Sequence, residues 1–273
     1  MGNQIDRACT SSEAEAGVNA SPRPFAGPGC CRPELPRSSH GRVAYEASPS
    51  EEEQFVKLTP VIDDVFRLVL PPRAFVNAYL VGDVLVDAGL GMQAGGIIEA
   101  LGGRTVATHA ITHAHGDHVG GSRRVCDTLG VPASCGAGDA AAVRAGKPVA
   151  ASRVQALFRW KPVEVARELH EGDELGPGFV VLDVPGHSPG HIALWRERDR
   201  TLVCGDVFLN LNFYTTRAGL NEPPALFTVD MARNRESARR LAELEPQLVL
   251  FGHGKPLRDA AKLQAFAQSL PRA

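Results

Sequence analysis

One stretch of the chain, Thr112-His113-Ala114-His115-Gly116-Asp117-His118-Val119-Gly120-Gly121, concentrates three imidazoles and a carboxylate within six residues. Neutral imidazole nitrogen and carboxylate oxygen are the ligand types that a borderline divalent metal such as Zn²⁺ or Fe²⁺ prefers. The stretch follows Val106 to Ile111, an apolar run that reads as a buried strand. At the end of a strand His113 and His115 share one side with Ala114 between them, so both rings can approach one ion. Gly116 lets the chain turn, so Asp117 and His118 point elsewhere and can hold a second ion. With nine His in 273 residues, chance assembly of H-x-H-x-D-H is a poor explanation, and we read a metal site.

Four further runs end in residues of the same chemistry. Val84 to Val86 leads into Asp87-Ala88-Gly89. Asp87 is a turn former, or an acceptor that fixes the metal-binding histidines from behind. Phe179 to Val184 runs into Pro185-Gly186-His187-Ser188-Pro189-Gly190-His191, a rigid turn that presents His187 as a third nitrogen for the first ion. His191 reads as a structural histidine beside it. Thr201 to Gly205 ends in Asp206, an oxygen ligand suited to bridging two ions. Leu248 to Phe251 ends in Gly252-His253. The ligand count then closes: His113, His115 and His187 on one ion, Asp117, His118 and His253 on the other, and Asp206 between them.

The carriers of these residues alternate in type. Val56 to Ile62, Val65 to Leu70, Phe75 to Val81 and Val84 to Val86 are short apolar runs separated by Pro, Gly or Asp, and they predict a strand meander. Met92 to Leu101 predicts a helix closing on Gly102-Gly103, Val119 to Leu129 a second, Val131 to Cys135 a strand and 138–160 mostly helix without a chemical signature. Strands alternating with helices make this an α/β protein.

Composition bounds the rest. The chain is 44% hydrophobic and 22% charged, which suits one domain with a sizeable core and some extra length. A net charge of −2 gives no reason to expect nucleic acid or a membrane surface as a partner. Arg233, Arg235, Arg239 and Arg240 fall on one predicted helix and read as a solvated face. Residues 1–54 carry Pro22, Pro24, Pro28, Pro33 and Pro36 among polar residues without an apolar period, so we expect a disordered tail ahead of a folded domain over 55–273. That tail has no signal-peptide core and too much acid for a transit peptide, and its sixth residue, Asp6, breaks a myristoylation motif. The six cysteines form no C-x-x-C pair. Cys9, Cys30 and Cys31 lie in the tail, and Cys126, Cys135 and Cys204 read as buried free thiols, which suits a cytoplasmic location.

Asp87, the H-A-H-G-D-H run, His187, Asp206 and His253 match in order the five motifs of the metallo-β-lactamase superfamily, and the resemblance spans about residues 56–269. It implies a four-layer αββα sandwich of two mixed β-sheets flanked by helices, with a dinuclear site at one edge. P-G-H-S-P-G-H and the following C-G-D are most similar to glyoxalase II, also called hydroxyacylglutathione hydrolase. Twenty residues follow His253, enough for a helix from Leu257 to Leu270 and not for a helical glutathione-binding domain. The 46 residues between Asp206 and His253 leave no room for the inserted domain of the nucleases of this fold.

The chemistry implied is hydrolysis by two divalent ions, Zn²⁺ first, with Fe or Mn as alternatives. Two ions sharing Asp206 would share a water whose pKa falls from about 15.7 toward about 7, for attack on the carbonyl of a small thioester, ester or lactone. Asp117 would touch that water and carry the proton to the leaving group. The loop Asn210 to Glu222, with Phe213, Tyr214 and Arg217, is the expected pocket wall. The expected partners are a small acyl substrate and at most a second copy of the chain, as a monomer or homodimer. The alternative activity is that of an iron-dependent persulfide dioxygenase, which resembles this ligand pattern with one iron and typically lacks a histidine at the position of His191. A lactonase of the same fold is a further alternative.

Overall fold

The computed structural model describes residues 55–71 and 75–272. The expected tail, with Cys9, Cys30 and Cys31, lies outside them.

Fourteen strands and six helices run through the described residues. The first sheet opens with β1 (Lys57–Ile62), β2 (Val65–Leu70), β3 (Val76–Val81) and β4 (Val84–Val86), an antiparallel meander. It continues in parallel through β5 (Thr108–Ile111), β6 (Ala133–Gly136) and β7 (Val165–Leu169), and the strands lie in sequence order. Helices α1 (Ala94–Leu101) and α3 (Ser122–Leu129), with the single turn α2 (Gly116–Val119) between, and α4 (Ala137–Ala145) make the connections.

The second sheet has the order β14-β11-β10-β9-β8, built from β8 (Glu174–Leu175), β9 (Phe179–Asp183), β10 (Ile192–Arg196), β11 (Thr201–Gly205) and β14 (Leu248–Phe251). A small hairpin of β12 (Leu209–Leu211) and β13 (Ala218–Asn221) follows Asp206. Helices α5 (Met231–Glu243) and α6 (Ala260–Ser269) start on Asp230 and Asp259, whose carboxylates accept the backbone N–H of Arg233 and Lys262.

Period-two alternation decides what lies between the layers. Tyr79, Val81, Val84 and Val86 on the first sheet meet Phe179, Val181, Leu194, Val203 and Leu250 on the second. The intervening residues Ala78, Leu80 and Leu85 turn outward onto Ile97, Leu101 and Val125 of α1 and α3. Leu202, Cys204, Val249 and Phe251 turn outward onto Ala238, Leu241 and Leu263 of α5 and α6. The result is the expected helix, sheet, sheet, helix order. Among the described residues no helix is long and apolar enough to cross a membrane.

Two expectations change. The helix expected over 119–129 is broken, because Gly120 and Gly121 pass too close to Gly89 and Ala88 for any side chain. The region 138–160 is helical only to Ala145. Gly146 closes α4 in the left-handed conformation (φ 66°), Pro148 follows, and the rest is loop with one 3-10 turn at Gln155–Leu157.

Candidate metal centre

Every residue singled out in the sequence as a ligand sits just past a strand, and these strand ends converge. His113, His115, Asp117 and His118 follow β5; His187 follows β9, Asp206 follows β11 and His253 follows β14. Three groups of donor atoms have all members within 4.8 Å of one another: His113, His115 and His187; Asp117, His118 and His253; and His113, His118 and Asp206. The first two are the two expected trios. The third places Asp206 between them. Its Oδ2 lies 3.1 Å from His253 Nε2, 3.4 Å from His118 Nε2, 3.7 Å from His187 Nε2 and 3.9 Å from His113 Nε2. Asp117 Oδ2 lies 3.3 Å from His253 Nε2 and 4.0 Å from His118 Nε2.

Hydrogen bonds on the far side of each ring decide which nitrogen faces inward. His118 Nδ1 donates to Asp87 Oδ2 (2.8 Å), and His253 Nδ1 donates to the carbonyl of Phe75 (2.7 Å). A carboxylate and a carbonyl only accept, so on both rings Nδ1 carries a proton outward and Nε2 is the nitrogen turned inward. Thr228 Oγ1 donates to the Pro224 carbonyl (3.0 Å) and is left to accept from His187 Nδ1 (3.0 Å). Thr112 Oγ1 donates to Asp87 and accepts from His113 Nδ1 (3.0 Å). The Nε2 atoms of His113, His118 and His187 and Oδ1 of Asp206 are therefore buried with no hydrogen-bond partner in the protein. Buried polar atoms are rarely left so, and three Nε2 atoms turned toward Asp206 fit a cation there.

Asp87 does what a second-layer acceptor should. It takes the backbone N–H and hydroxyl of Thr112 as well as the His118 ring, and its φ of 60° shows the turn that aims it. His191 Nε2 accepts the backbone N–H of Asp206 at 3.2 Å.

The charges divide the site in two. Burial first, and the neighbouring imidazoles after it, hold His113 and His187 well below their ordinary range; burial pulls His115 down to about 4. That trio is neutral at pH 7, the form that ligates. Burial also opposes charge on His118 and His253, but Asp206, Asp87 and Asp117 outweigh it. His118 is held well above its usual value and His253 at about 10. Burial works against ionisation of Asp206, yet His253 and His118 hold it well below the carboxylate range. This half of the site calls for positive charge.

The sequence did not reveal two residues of the 138–160 region. Asp139, fully buried in α4, accepts from the backbone N–H of Ala114 (2.8 Å), the Ser188 hydroxyl and the backbone N–H of Gly190 (2.8 Å), so one carboxylate ties the His113 loop to the His187 loop. The Gln155 amide meets His115 Nε2 at 2.6 Å. With the amide NH₂ donating, the proton of the neutral ring sits on Nδ1; for His115 to offer Nδ1 to an ion, the proton must move to Nε2 and the amide turn to present its oxygen. A buried acid in an alanine-rich helix is the one signal that pointed to Asp139. Nothing local distinguished Gln155.

A pocket of about 140 Å³ opens above the cluster, with His115, Asp117, His187, Asp206 and His253 in its floor. Of the expected loop only Phe213 reaches it. Tyr214 and Arg217 point into solvent from the turn of the β12–β13 hairpin, and Leu209, Pro224 and Phe227 complete that wall instead.

Residues 71–253 match the family model of the metallo-β-lactamase superfamily. The chain belongs to that superfamily. Members similar to it include a probable metallo-hydrolase, YflN, of Bacillus subtilis (29% identity, 73% of this chain and 83% of the relative). A hydroxyacylglutathione hydrolase of Bdellovibrio bacteriovorus is 30% identical over 73% of this chain and 67% of its own. Among solved structures, the metallo-β-lactamase BJP-1 of Bradyrhizobium japonicum shares the superfamily fold (19% identity, 81% and 93% covered, TM-score 0.61). TTHA1623, solved in a di-iron-bound form, is 30% identical over 74% of this chain and 98% of its own, with a TM-score of 0.55. Members of this superfamily bind divalent metal, and the His/Asp cluster is where this chain would do so.

Proposed function

We propose that this chain is a dinuclear metallohydrolase acting on the carbonyl of a small thioester, ester or lactone. The observation that carries the reading is the convergence of two trios of donor atoms on either side of Asp206, with the Nε2 atoms of His113, His118 and His187 buried without a hydrogen-bond partner. His113, His115 and His187 would hold one ion, Asp117, His118 and His253 the other, and Asp206 both. Bound there, two divalent ions would supply a water acidified from about 15.7 toward about 7 and an electrophile for the carbonyl oxygen.

The protein's own groups do the rest. The outward hydrogen bonds of the rings aim Nε2 of His113, His118, His187 and His253 inward, and the proton that the carboxylates hold on His118 and His253 would be displaced by an ion bound beside Asp206. Asp117, its side chain 30% exposed in the pocket floor, is the carboxylate able to take a proton from the attacking water and pass it to the leaving group. His191, at a position where persulfide dioxygenases of this ligand pattern typically lack a histidine, favours the two-ion hydrolase over a one-iron dioxygenase. The bacterial metallo-hydrolase and hydroxyacylglutathione hydrolase relatives support the same reading, and the di-iron TTHA1623 makes iron a candidate beside zinc.

The test is metal analysis of protein purified without chelator, paired with turnover of S-D-lactoylglutathione and an acyl-homoserine lactone, for wild type and Asp206→Ala. About two ions per chain and hydrolysis of either substrate are expected, with most of both lost in the variant. Near-wild-type turnover by Asp206→Ala overturns the dinuclear mechanism. One iron per chain with oxygen uptake on a persulfide replaces it.

A further inference from the structure

Four phenylalanines from separate stretches pack in an arc beside the cluster, and three of them, Phe158, Phe213 and Phe227, line the pocket. Phe75, just before β3, packs edge-on to Phe213 in the β12–β13 hairpin at 5.1 Å between ring centres. Phe213 meets Phe227, which precedes α5, at 5.7 Å, and Phe227 meets Phe158, after the 3-10 turn, at 6.1 Å. The arc begins on the ligand itself, since Phe75 also stands edge-on to His253 at 5.1 Å. It ends in solvent, where Phe158 is 48% exposed with Leu90 at 39% and Leu157 at 79% close by in the chain or pocket. None of the described residues lining the pocket is Lys or Arg; cations begin only past Leu90 and Phe158, where Arg123, Arg124, Arg159 and Lys161 line the adjoining groove.

Rings packed edge to edge in this way are pre-positioned, and apolar surface left open at a site's mouth marks where an apolar ligand group is covered. The pocket's volume is close to that of a cavity known to hold a benzene-sized guest. Resting on the hydrolase reading above, we infer that the substrate class is an acyl compound with an extended apolar chain beside the scissile carbonyl. The chain lies along Phe213, Phe227 and Phe158 while the carbonyl sits at the His/Asp floor.

The test uses the metal-loaded full chain and two homologous series, one lengthening the acyl part from acetate through butanoate and hexanoate to octanoate, the other lengthening the alcohol or thiol part. Each methylene that enters the apolar pocket raises kcat/KM by up to about 4-fold. A rise along either series supports the inference and identifies which side of the carbonyl the arc receives. In Phe158→Ala the ratio of octanoate to acetate rates falls by about 10-fold. Flat rates along both series, or an unchanged ratio in a variant that instead alters self-association, overturn it and assign the arc to a second copy of the chain. Binding of acetate through octanoate, read by calorimetry, separates the two levels of the argument. Affinity that climbs with chain length while no ester, thioester or lactone is hydrolysed leaves the apolar subsite standing and removes the hydrolase. Equal affinities remove the subsite.

Discussion

Replacing Asp139 tests whether one buried carboxylate holds the two histidine loops in register. Its two oxygens accept three donors, the N–H groups of Ala114 and Gly190 and the Ser188 hydroxyl, with the side chain shut off from solvent. Burial pushes its pKa up and the three donors oppose that rise. Asp139→Ala strands two backbone N–H groups where water cannot reach, at about 1–3 kcal/mol each, so the ion-free protein loses roughly 2–6 kcal/mol. Asp139→Asn keeps one acceptor. Whichever way the amide turns, its NH₂ faces one backbone N–H, so about half of that loss remains. Metal affinity falls with it. Ala114 lies between His113 and His115, and Ser188 and Gly190 flank the His187 turn, and loss of such outer partners costs about 10- to 100-fold in affinity. Urea unfolding of the ion-free variants and zinc competition against a chromophoric chelator read the two effects separately. The expected order in both is wild type, Asn, then Ala. Ion-free stabilities within about 0.5 kcal/mol of wild type together with unchanged zinc affinity would refute the reasoning.

The ion-free protein should also be most stable near pH 6.5. Burial holds His115 at about 4 and His191 at about 3, below their usual 6.5. The unfolded chain therefore binds these protons first, and stability drains as pH falls from about 6.5. His253, raised to about 10 by Asp206 against its burial, contributes fully below about 6.5 and loses that contribution as pH rises to about 10. A urea midpoint that is flat between about pH 4 and 9 contradicts this. Gly252→Ala should lower the metal content per chain, measured by mass spectrometry, because a β-carbon there presses into Asp206 Oδ1 and His118 Cε1. A full complement of metal in that variant would show that the carboxylate can be displaced without cost.

The convergence of the donor residues was legible because each is a polar residue just after an apolar run, a pattern that survives without knowledge of the fold. The layers were legible from alternation, as at Ala78-Tyr79-Leu80-Val81. What holds the ligands was not. Asp139 reaches Ser188 across 49 positions, and Gln155 reaches His115 across 40 and the Phe227 carbonyl across 72. Such pairings are products of topology, invisible to local propensity. The helix expected through 160 failed at Gly146 and Pro148, which local pattern undervalued against the neighbouring alanines. Tyr214 and Arg217 were expected in the pocket because they neighbour Phe213; the tight turn of the β12–β13 hairpin sends them the other way.

The first sheet carries a polar group whose partners all lie on the second. Asn77 donates to the carbonyls of Phe251 (2.9 Å) and Gly254 (2.8 Å), Tyr79 Oη donates to Phe251 (2.7 Å), and Arg67 donates to Gly254 (3.1 Å) while its Nε holds Asn77. These bonds join positions more than 170 residues apart and fasten the loop that bears His253. Loop closure over such distances is slow, and neither sheet alone contains both trios. Each trio draws on both sheets, so on the two-ion reading capture of either ion would report that the two halves of the sandwich have docked. In a refolding experiment it would serve as a clock for the last step, and a dissociating ion as the first sign that the sheets have begun to part.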